Sequence, residues 1–225
     1  MGRLLILAIL LINVSLLTAQ ERADTTAQNS AWRLEYRVTL GNSSVLDIEG
    51  YPQPKVGPVS QGGEFALGLE YMLGNDWSLY TGVHSPFRNG QAWANGQPFT
   101  MQESGLIIPV LFRTGHWNPL GVLPSVSLEA GIGPYYGLVT LLKVYEIPGV
   151  SQPLARAADA GIFSYHHLGL MADLRMRLKL DGGNEVSVGI HTTQDLVTFG
   201  AHKTIPIVPR FSFGGISIGF SRPIF

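Results

Sequence analysis

The sequence predicts an all-β protein, an eight-stranded antiparallel up-and-down transmembrane β-barrel. Three features of the 225-residue chain lead to this prediction: apolar side chains alternate with polar ones in eight segments, the apolar stripes contain no charged residue, and short and long connections alternate. Alternation with a period of two is typical of a strand with only one apolar face. Short turns on one rim and long loops on the other are typical of barrels that cross a membrane.

Composition narrows the classes of protein. Charged residues make up 14% of the chain and the formal net charge is -1, whereas soluble domains carry roughly 25% charged residues. Because no basic field exists, we expect no nucleic-acid partner. The chain has no cysteine, which excludes disulfides, cysteine-ligated zinc and thiol catalysis.

The N-terminus predicts a signal peptide. A short cationic start precedes an apolar run in residues 4–12, which is shorter than the ~20 residues that a spanning helix needs. Ala19 follows Leu17 and Thr18 as a small residue at a cleavage site. We therefore expect a signal peptide at residues 1–19, an N-terminal periplasmic segment at 20–30 and one barrel domain at 31–225.

The first four strands are predicted from apolar stripes in order along the chain. Residues 32–40 place apolar side chains at even positions and charged or polar ones at odd positions. Residues 65–71 repeat the pattern, and a Gly-Asn-Asp turn at 74–76 connects them to residues 77–83, which indicates a hairpin. Residues 106–112 form the fourth stripe.

The last four strands follow in the same way. Residues 126–132 form the fifth stripe, and residues 168–180 form the longest, in which leucines alternate with charged side chains. An Asp-Gly-Gly-Asn turn at 181–184 precedes the seventh stripe at 186–190, and residues 216–220 form the eighth. Arg222 and Pro223 break the alternation, so the last strand is predicted to end at either Phe220 or Phe225.

The connections alternate in length. Long loops are predicted at 41–62, 85–102 and 141–160, a modest connection at 114–123, tight turns near Asn75 and at 181–184, and a longer connection at 200–209. We expect the long loops to be extracellular and both termini to be periplasmic, in the outer membrane. The aromatic and polar segment 87–99 is a candidate surface-binding loop.

Charged residues occupy the parity opposite the apolar stripes. A membrane barrel buries this parity in its lumen, whereas a soluble barrel exposes it, and parity alone does not distinguish them. We favour the membrane because the stripes are free of charge and because five aromatic residues lie near stripe ends, where interfacial girdles form: Trp32, Tyr71, Trp77, Tyr136 and Phe220. An eight-stranded lumen is narrow, so we predict an ion-paired plug in which Arg175, Arg177 and Lys179 meet glutamates of neighbouring strands.

Two segments carry a resemblance to a known family. The segment at 103–113, with Pro109 among apolar residues, and the glycine-rich segment at 130–135 are similar to the PorT-like outer-membrane β-barrel proteins of Bacteroidota. The terminal Phe225 also resembles the aromatic end of a barrel assembly signal. The resemblance implies outer-membrane location, insertion by the barrel assembly machinery, and for some members a part in protein secretion.

The histidines supply few candidates for chemistry. His166 and His167 are adjacent, so they point to opposite faces of a strand and cannot bind one metal. His84 and His191 are interpreted as polar lumen residues. The sequence assigns no catalytic, cofactor-binding or metal-ligating residue and predicts no cofactor.

The favoured function is therefore a non-enzymatic outer-membrane barrel: an envelope scaffold, a surface adhesion protein or a secretion accessory. Its partners would be outer-membrane lipid and an unidentified surface or periplasmic protein. Two alternatives remain. One is a secreted soluble lipocalin-like barrel with its apolar stripes lining a calyx, and the other is a membrane-embedded lipid hydrolase using His166, near Ser164, or His84.

Overall fold

The computed structural model describes residues 31–49, 55–56, 59–73, 77–94, 97–114, 125–146, 155–156, 165–199 and 208–224. The predicted signal peptide and the segment 20–30 lie outside the described residues, so they stay predictions. Eight long strands are present: β1 (Trp32–Glu49), β2 (Ser60–Met72), β3 (Trp77–Ala94), β4 (Gln97–Thr114), β5 (Val126–Glu146), β6 (Tyr165–Lys179), β7 (Glu185–Phe199) and β8 (Val208–Ile224). Two-residue segments, Lys55–Val56 and Ala155–Arg156, pair with β3 and β5.

The eight strands form a closed antiparallel barrel. Each strand pairs with the next in sequence, and β8 pairs with β1 to close the sheet. Followed from strand to strand, the ladder leaves β1 at Trp32 and returns to it at Asn42, ten residues further on. This stagger tilts the strands around the axis. The predicted up-and-down eight-stranded fold is confirmed.

The two ends of the barrel differ. The first residue of β1, Trp32, pairs with Ile224 at the end of β8, and the tight turn between β6 and β7 lies at this same end. That turn is a 3₁₀ segment, Asp181–Gly183, in which Gly182 has φ 70° and Gly183 φ 77°. Glycine adopts such left-handed conformations without the penalty that a Cβ imposes. We call this end the turn rim and the opposite end the loop rim. No helix among the described residues is long and apolar enough to cross a membrane.

The strands extend further toward the loop rim than the stripes predicted. Residues 41–49, 60–62, 85–94, 97–102, 141–146 and 208–209 are strand, so the predicted loop bounds there are wrong. Ala94 pairs directly with Gln97, across an Asn-Gly dipeptide that is a strong hairpin signal. The candidate surface loop 87–99 is therefore mostly hairpin. Beyond Phe87, its described outward side chains are the polar Asn89 and Gln91, so the apolar stripe stops there although the backbone pairing continues.

The outward face carries an apolar band. On β6, Leu168, Leu170, Leu174, Met176 and Leu178 are between 42% and 53% exposed. The eleven positions from Leu168 to Leu178, at about 3.3 Å per residue and a tilt of about 40°, cover about 25 Å along the barrel axis. The soluble calyx alternative required residues 168–180 to face inward, so that alternative is wrong.

Aromatic side chains cluster at both edges of this band. At the turn rim Trp32 packs on Tyr71 with ring centroids 4.7 Å apart, and Trp77 packs on Phe112 at 5.3 Å. Toward the loop rim, His166 stacks between Tyr136 and Phe199 at 5.6 and 5.5 Å. Four of the five predicted girdle residues therefore lie at an edge. Phe220 does not act in this way, because it is 3% exposed and covered by its neighbours.

Glycines allow two lumen tyrosines to lie flat against the wall. A Cβ on Gly68 would overlap the Tyr80 ring, and a Cβ on Gly169 would overlap both the Tyr135 ring and the backbone oxygen of Gln194. Tyr135 and Gly169 are direct cross-strand partners, so the missing side chain leaves the space that the ring occupies.

We expect Gly169→Ala to destabilise the barrel by about 1–3 kcal/mol, the usual cost of overpacking. Gly214→Ala is the control, because the atoms nearest to its added Cβ would be 3.8 Å away. Urea unfolding of both variants in detergent measures the difference. Equal midpoints for the two variants would contradict the packing interpretation.

Candidate functional site

The inward face of the barrel is polar, as the parity predicted. Buried, lumen-facing charged residues come from β1 to β7, and all are at most 5% exposed: Glu35, Arg37, Glu64, Glu70, Arg88, Glu103, Arg113, Glu129, Asp173, Arg175, Arg177, Glu185 and Asp195. Arg33 is half-buried and joins them through Glu185 at 2.6 Å. Ionised groups that are this deeply buried require partners of opposite charge and hydrogen bonds. The charged side chains of the lumen accordingly form three groups of contacts along the barrel.

The lower network lies nearest the turn rim and contains five arginines and five acids: Arg33, Arg37, Arg113, Arg175, Arg177, Glu35, Glu70, Glu129, Asp173 and Glu185. Arg113 is its centre, because its guanidinium lies 3.0 Å from Glu35, 3.1 Å from Asp173 and 3.5 Å from both Glu70 and Glu129. The same guanidinium lies 3.8 Å from the centroid of the Tyr80 ring. Equal numbers of opposite charges make this network neutral.

Arg177 and Arg175 on β6 extend the network across the barrel. Arg177 lies 2.6 Å from both Glu70 and Glu129 and 2.8 Å from Glu185. Arg175 donates to Glu129 through Nε at 2.7 Å. The predicted meeting of β6 arginines with glutamates of other strands is confirmed for these two residues, whereas Lys179 is exposed on the rim, where water solvates its ammonium group.

The middle triad consists of Glu64, His84 and His191, which are fully buried. Glu64 Oε1 lies 2.8 Å from His84 Nδ1 and 3.2 Å from His191 Nε2. The other ring nitrogen of His84 lies 2.8 Å from the Tyr80 hydroxyl oxygen. Arg37 approaches from the lower network, with Nη2 3.8 Å from Glu64 Oε1. The two histidines that the sequence placed in the lumen are thus brought together around one carboxylate.

The upper cluster, toward the loop rim, is centred on Arg88 and Asp195. Arg88 Nη1 donates to both oxygens of Asp195, at 2.9 and 3.0 Å, and Nη2 donates to Thr193 at 3.1 Å. Asp195 also accepts hydrogen bonds from the Tyr135 hydroxyl and from the backbone N–H of Phe211. His167 joins this cluster through Glu103, with Nε2 3.2 Å from Oε2.

These contacts cross the lumen. Arg88 on β3 meets Asp195 on β7, and Arg177 on β6 meets Glu70 on β2; in a barrel of eight strands both pairs join opposite walls. Between the polar layers lies a buried group of Tyr80, Ile107, Leu111, Tyr135 and Met171. Side chains that meet across the lumen occupy part of its narrow cross-section at those levels.

His166 and His167 lie on opposite faces, as predicted. His167 is in the lumen, whereas the outward His166 has its Nδ1 2.7 Å from the Tyr136 hydroxyl. Ser164 lies outside the described residues. The described side-chain hydrogen-bond partners of His84 are Tyr80, Glu64 and Arg37. The hydrolase alternative needs a serine hydroxyl beside the histidine, and the described contacts of His84 and His166 do not include one.

No protein-family model matches the chain, and no curated protein matches its sequence. Solved barrels resemble it in architecture. Neisserial surface protein A is 9% identical, with 87% of this chain and 98% of that chain covered and a TM-score of 0.49. The outer membrane protein OprG from Pseudomonas aeruginosa is 12% identical, with 88% and 99% covered and a TM-score of 0.39. Ail, the attachment invasion locus protein of Yersinia pestis, is 12% identical, with 84% and 97% covered and a TM-score of 0.38.

At such low identities, function has to be argued from this chain's own residues. The upper cluster is the part that the sequence analysis missed. The sequence predicts a loop around Arg88 and does not identify Glu103 and Asp195 as its partners. The signal was present, because Arg88 continues the inward parity of His84 and Asp195 continues that of His191. Extending each strand at constant parity beyond its apolar stripe would have found all three.

Proposed function

We propose that the chain is a non-enzymatic outer-membrane barrel whose ion-paired lumen acts as a structural plug and whose loop rim is the working surface. The observation that carries this proposal is that apolar side chains point outward from the sheet and buried charged side chains point inward. On the described strands the outward face carries no Asp, Glu or Lys between the two rims, and its arginines lie toward the ends, with Arg222 opposite Leu34 near the turn rim and Arg210 near the loop rim. The buried charged residues point into the lumen. Lipid would favour this arrangement and water would not.

The few polar side chains on the outward face support the same proposal. Thr81 donates to the carbonyl oxygen of Pro109 at 2.8 Å, and Thr192 donates to that of Phe213 at 3.0 Å. Hydroxyls that are satisfied by a neighbouring strand need no water. Such bonding suits a surface in contact with hydrocarbon, where an unsatisfied polar group costs several kcal/mol.

The orientation is proposed from the two rims. The first residue of β1 and the last residues of β8 lie at the turn rim. At the loop rim the strands extend beyond the apolar band, and their outward residues there include Ser85, Asn89 and Gln102. We place the turn rim in the periplasm and the loop rim outside the cell. Within that frame the chain would serve as an envelope scaffold, an adhesion surface or a secretion accessory, and the PorT-like resemblance favours secretion. The barrel assembly machinery would insert it.

Two measurements test the proposal together. The full chain expressed in a Gram-negative host is expected in the outer-membrane fraction, and the folded barrel is expected to migrate differently on gels before and after heating. Reconstituted in planar bilayers, it is expected to give no stable conductance steps, because the lumen is bridged. Recovery as a soluble periplasmic protein would overturn the location, and steady single-channel steps would overturn the plug.

A further inference from the structure

The middle triad has the composition and convergence of a metal site. Its ligand atoms, one carboxylate oxygen and two imidazole nitrogens, all lie within 4.8 Å of one another, and every member is fully buried. They come from β2, β3 and β7, so they converge from separated parts of the wall rather than from one local turn. We propose that Glu64, His84 and His191 bind one divalent transition-metal ion of the zinc type inside the lumen.

Unused bonding capacity at the triad points to a ligand. Among the described residues, neither ring nitrogen of His191 makes a well-directed hydrogen bond, and Glu64 Oε2 has no partner. Buried polar atoms are nearly always satisfied, and leaving one without a partner costs about 1–3 kcal/mol. One ion between the three side chains would take up His191 Nε2 and a Glu64 oxygen together.

His84 is oriented for this role by Tyr80. Nδ1 faces Glu64, while Nε2 lies 2.8 Å from the Tyr80 hydroxyl oxygen. With Nδ1 on a metal, the Nε2–H would donate to that oxygen. Metal-binding histidines almost always donate their second N–H in this way, which fixes the ring and raises its basicity. Tyr80 itself is buried and held by the Arg113 guanidinium over its ring.

The donor set selects the class of ion. Two imidazoles and one carboxylate suit zinc and similar transition metals, whereas calcium and magnesium require oxygen ligands. Tetrahedral zinc with bonds of about 2.0 Å separates its ligand atoms by about 3.3 Å. Glu64 Oε1 now lies 2.8 and 3.2 Å from the two nitrogens, so small rotations of the side chains would admit the ion.

The surrounding charge permits a cation. Arg37 is the nearest cationic group, with Nη2 3.5 Å from His84 Nδ1, but its Nη1 is bound to Asp173 at 3.0 Å. Arg37 Nη2 also lies 3.8 Å from Glu64 Oε1, so Glu64 shares this arginine with Asp173. Because the lower network that contains Arg37 is neutral when it is counted there, adding the Glu64 carboxylate leaves one negative charge in excess. Either a proton on one histidine or a metal ion would balance it. A proton would leave the other imidazole unsatisfied, which favours the metal.

The upper cluster also gathers a possible ligand set, Glu103, His167 and Asp195. It is less suited to a metal, because both Asp195 oxygens already accept from Arg88, and Tyr135 and the Phe211 N–H add further hydrogen bonds. A metal there would have to displace the Arg88 guanidinium, whose Nη1 donates to both Asp195 oxygens. The two sites therefore differ in a way that an experiment can use.

The test is zinc binding by the full-length barrel, refolded in detergent after chelator treatment. One equivalent of Zn²⁺ is expected to stay bound through gel filtration and to raise the unfolding midpoint. His191→Gln is expected to weaken binding by at least roughly 100-fold, since it removes a ligand. Tyr80→Phe keeps the ring over Arg113 and is expected to weaken binding by about 10–100-fold through loss of the hydroxyl alone.

His166→Gln and His167→Gln are the controls, the first for surface histidines and the second for the upper cluster, and both are expected to retain the bound equivalent. Wild-type protein that holds less than one tight Zn²⁺ per chain would overturn the proposal. Equal affinity in wild type and His191→Gln would overturn it as well. If His191→Gln does not refold, the wild-type stoichiometry and Tyr80→Phe still decide, and neither depends on where the barrel resides.

Discussion

Arg177→Met is expected to lower the free energy of unfolding by about 3–5 kcal/mol, the usual cost of breaking a buried ion pair from one side. Methionine fills part of the volume but removes the charge. Glu70, Glu129 and Glu185 then share one positive charge fewer, and a network with five arginines and five acids becomes negatively charged in a closed lumen. Urea titration of the barrel in detergent or phospholipid vesicles measures the loss.

Lys179→Met is the matched control. Lys179 lies two residues further along β6 on the same parity but is exposed, so its loss should change stability by less than about 0.5 kcal/mol. Arg177→Met combined with Glu70→Gln restores the charge balance and is expected to recover part of the loss, which a double-mutant cycle would reveal. A similar cost at Arg177 and Lys179 would contradict the view that the buried network, rather than general charge, stabilises the barrel.

The same pair of residues marks the limit of what the sequence could predict. Parity assigned Arg175, Arg177 and Lys179 to one face, and the structure buries the first two. Parity alone did not separate Lys179 from the two arginines, although Lys179 lies beside the turn predicted at 181–184, where a lumen-facing side chain reaches water at the rim. Nor could it name partners, since Arg177 meets Glu70 on the opposite wall only through the ten-residue stagger of the closed ladder.

Strand existence was predicted better than strand length. All eight stripes became strands, because an apolar face is visible in sequence. The extensions beyond them are held by backbone pairing and mix polar side chains such as Ser85 and Gln194 with apolar ones such as Phe87 and Leu196 on the outward face, so they carry no regular apolar stripe. This is why Arg88 and its cluster were missed. Similarly, His84 and His191 were correctly placed in the lumen, but their convergence on Glu64 depends on three strands whose register only the folded barrel defines.

The second large effect concerns the outward face. Leu174→Arg is expected to destabilise the barrel in phospholipid bilayers by about 2–4 kcal/mol, because an arginine on the lipid face near mid-bilayer must be desolvated or must distort the bilayer. Leu174 is 53% exposed and lies close to the middle of the apolar positions of β6, which extend from Leu168 to Leu178. Urea unfolding in vesicles provides the measurement.

Leu178→Arg supplies the depth control, because it makes the same change on the same strand at the turn rim, where the cost falls to about 0–1 kcal/mol. If water covered this face instead, arginine at either exposed position would be close to neutral, within about 0.5 kcal/mol. A gradient between the two positions therefore measures the surrounding solvent rather than the packing of the barrel. Equal and small effects would place the apolar band in water and remove the observation on which the membrane assignment depends.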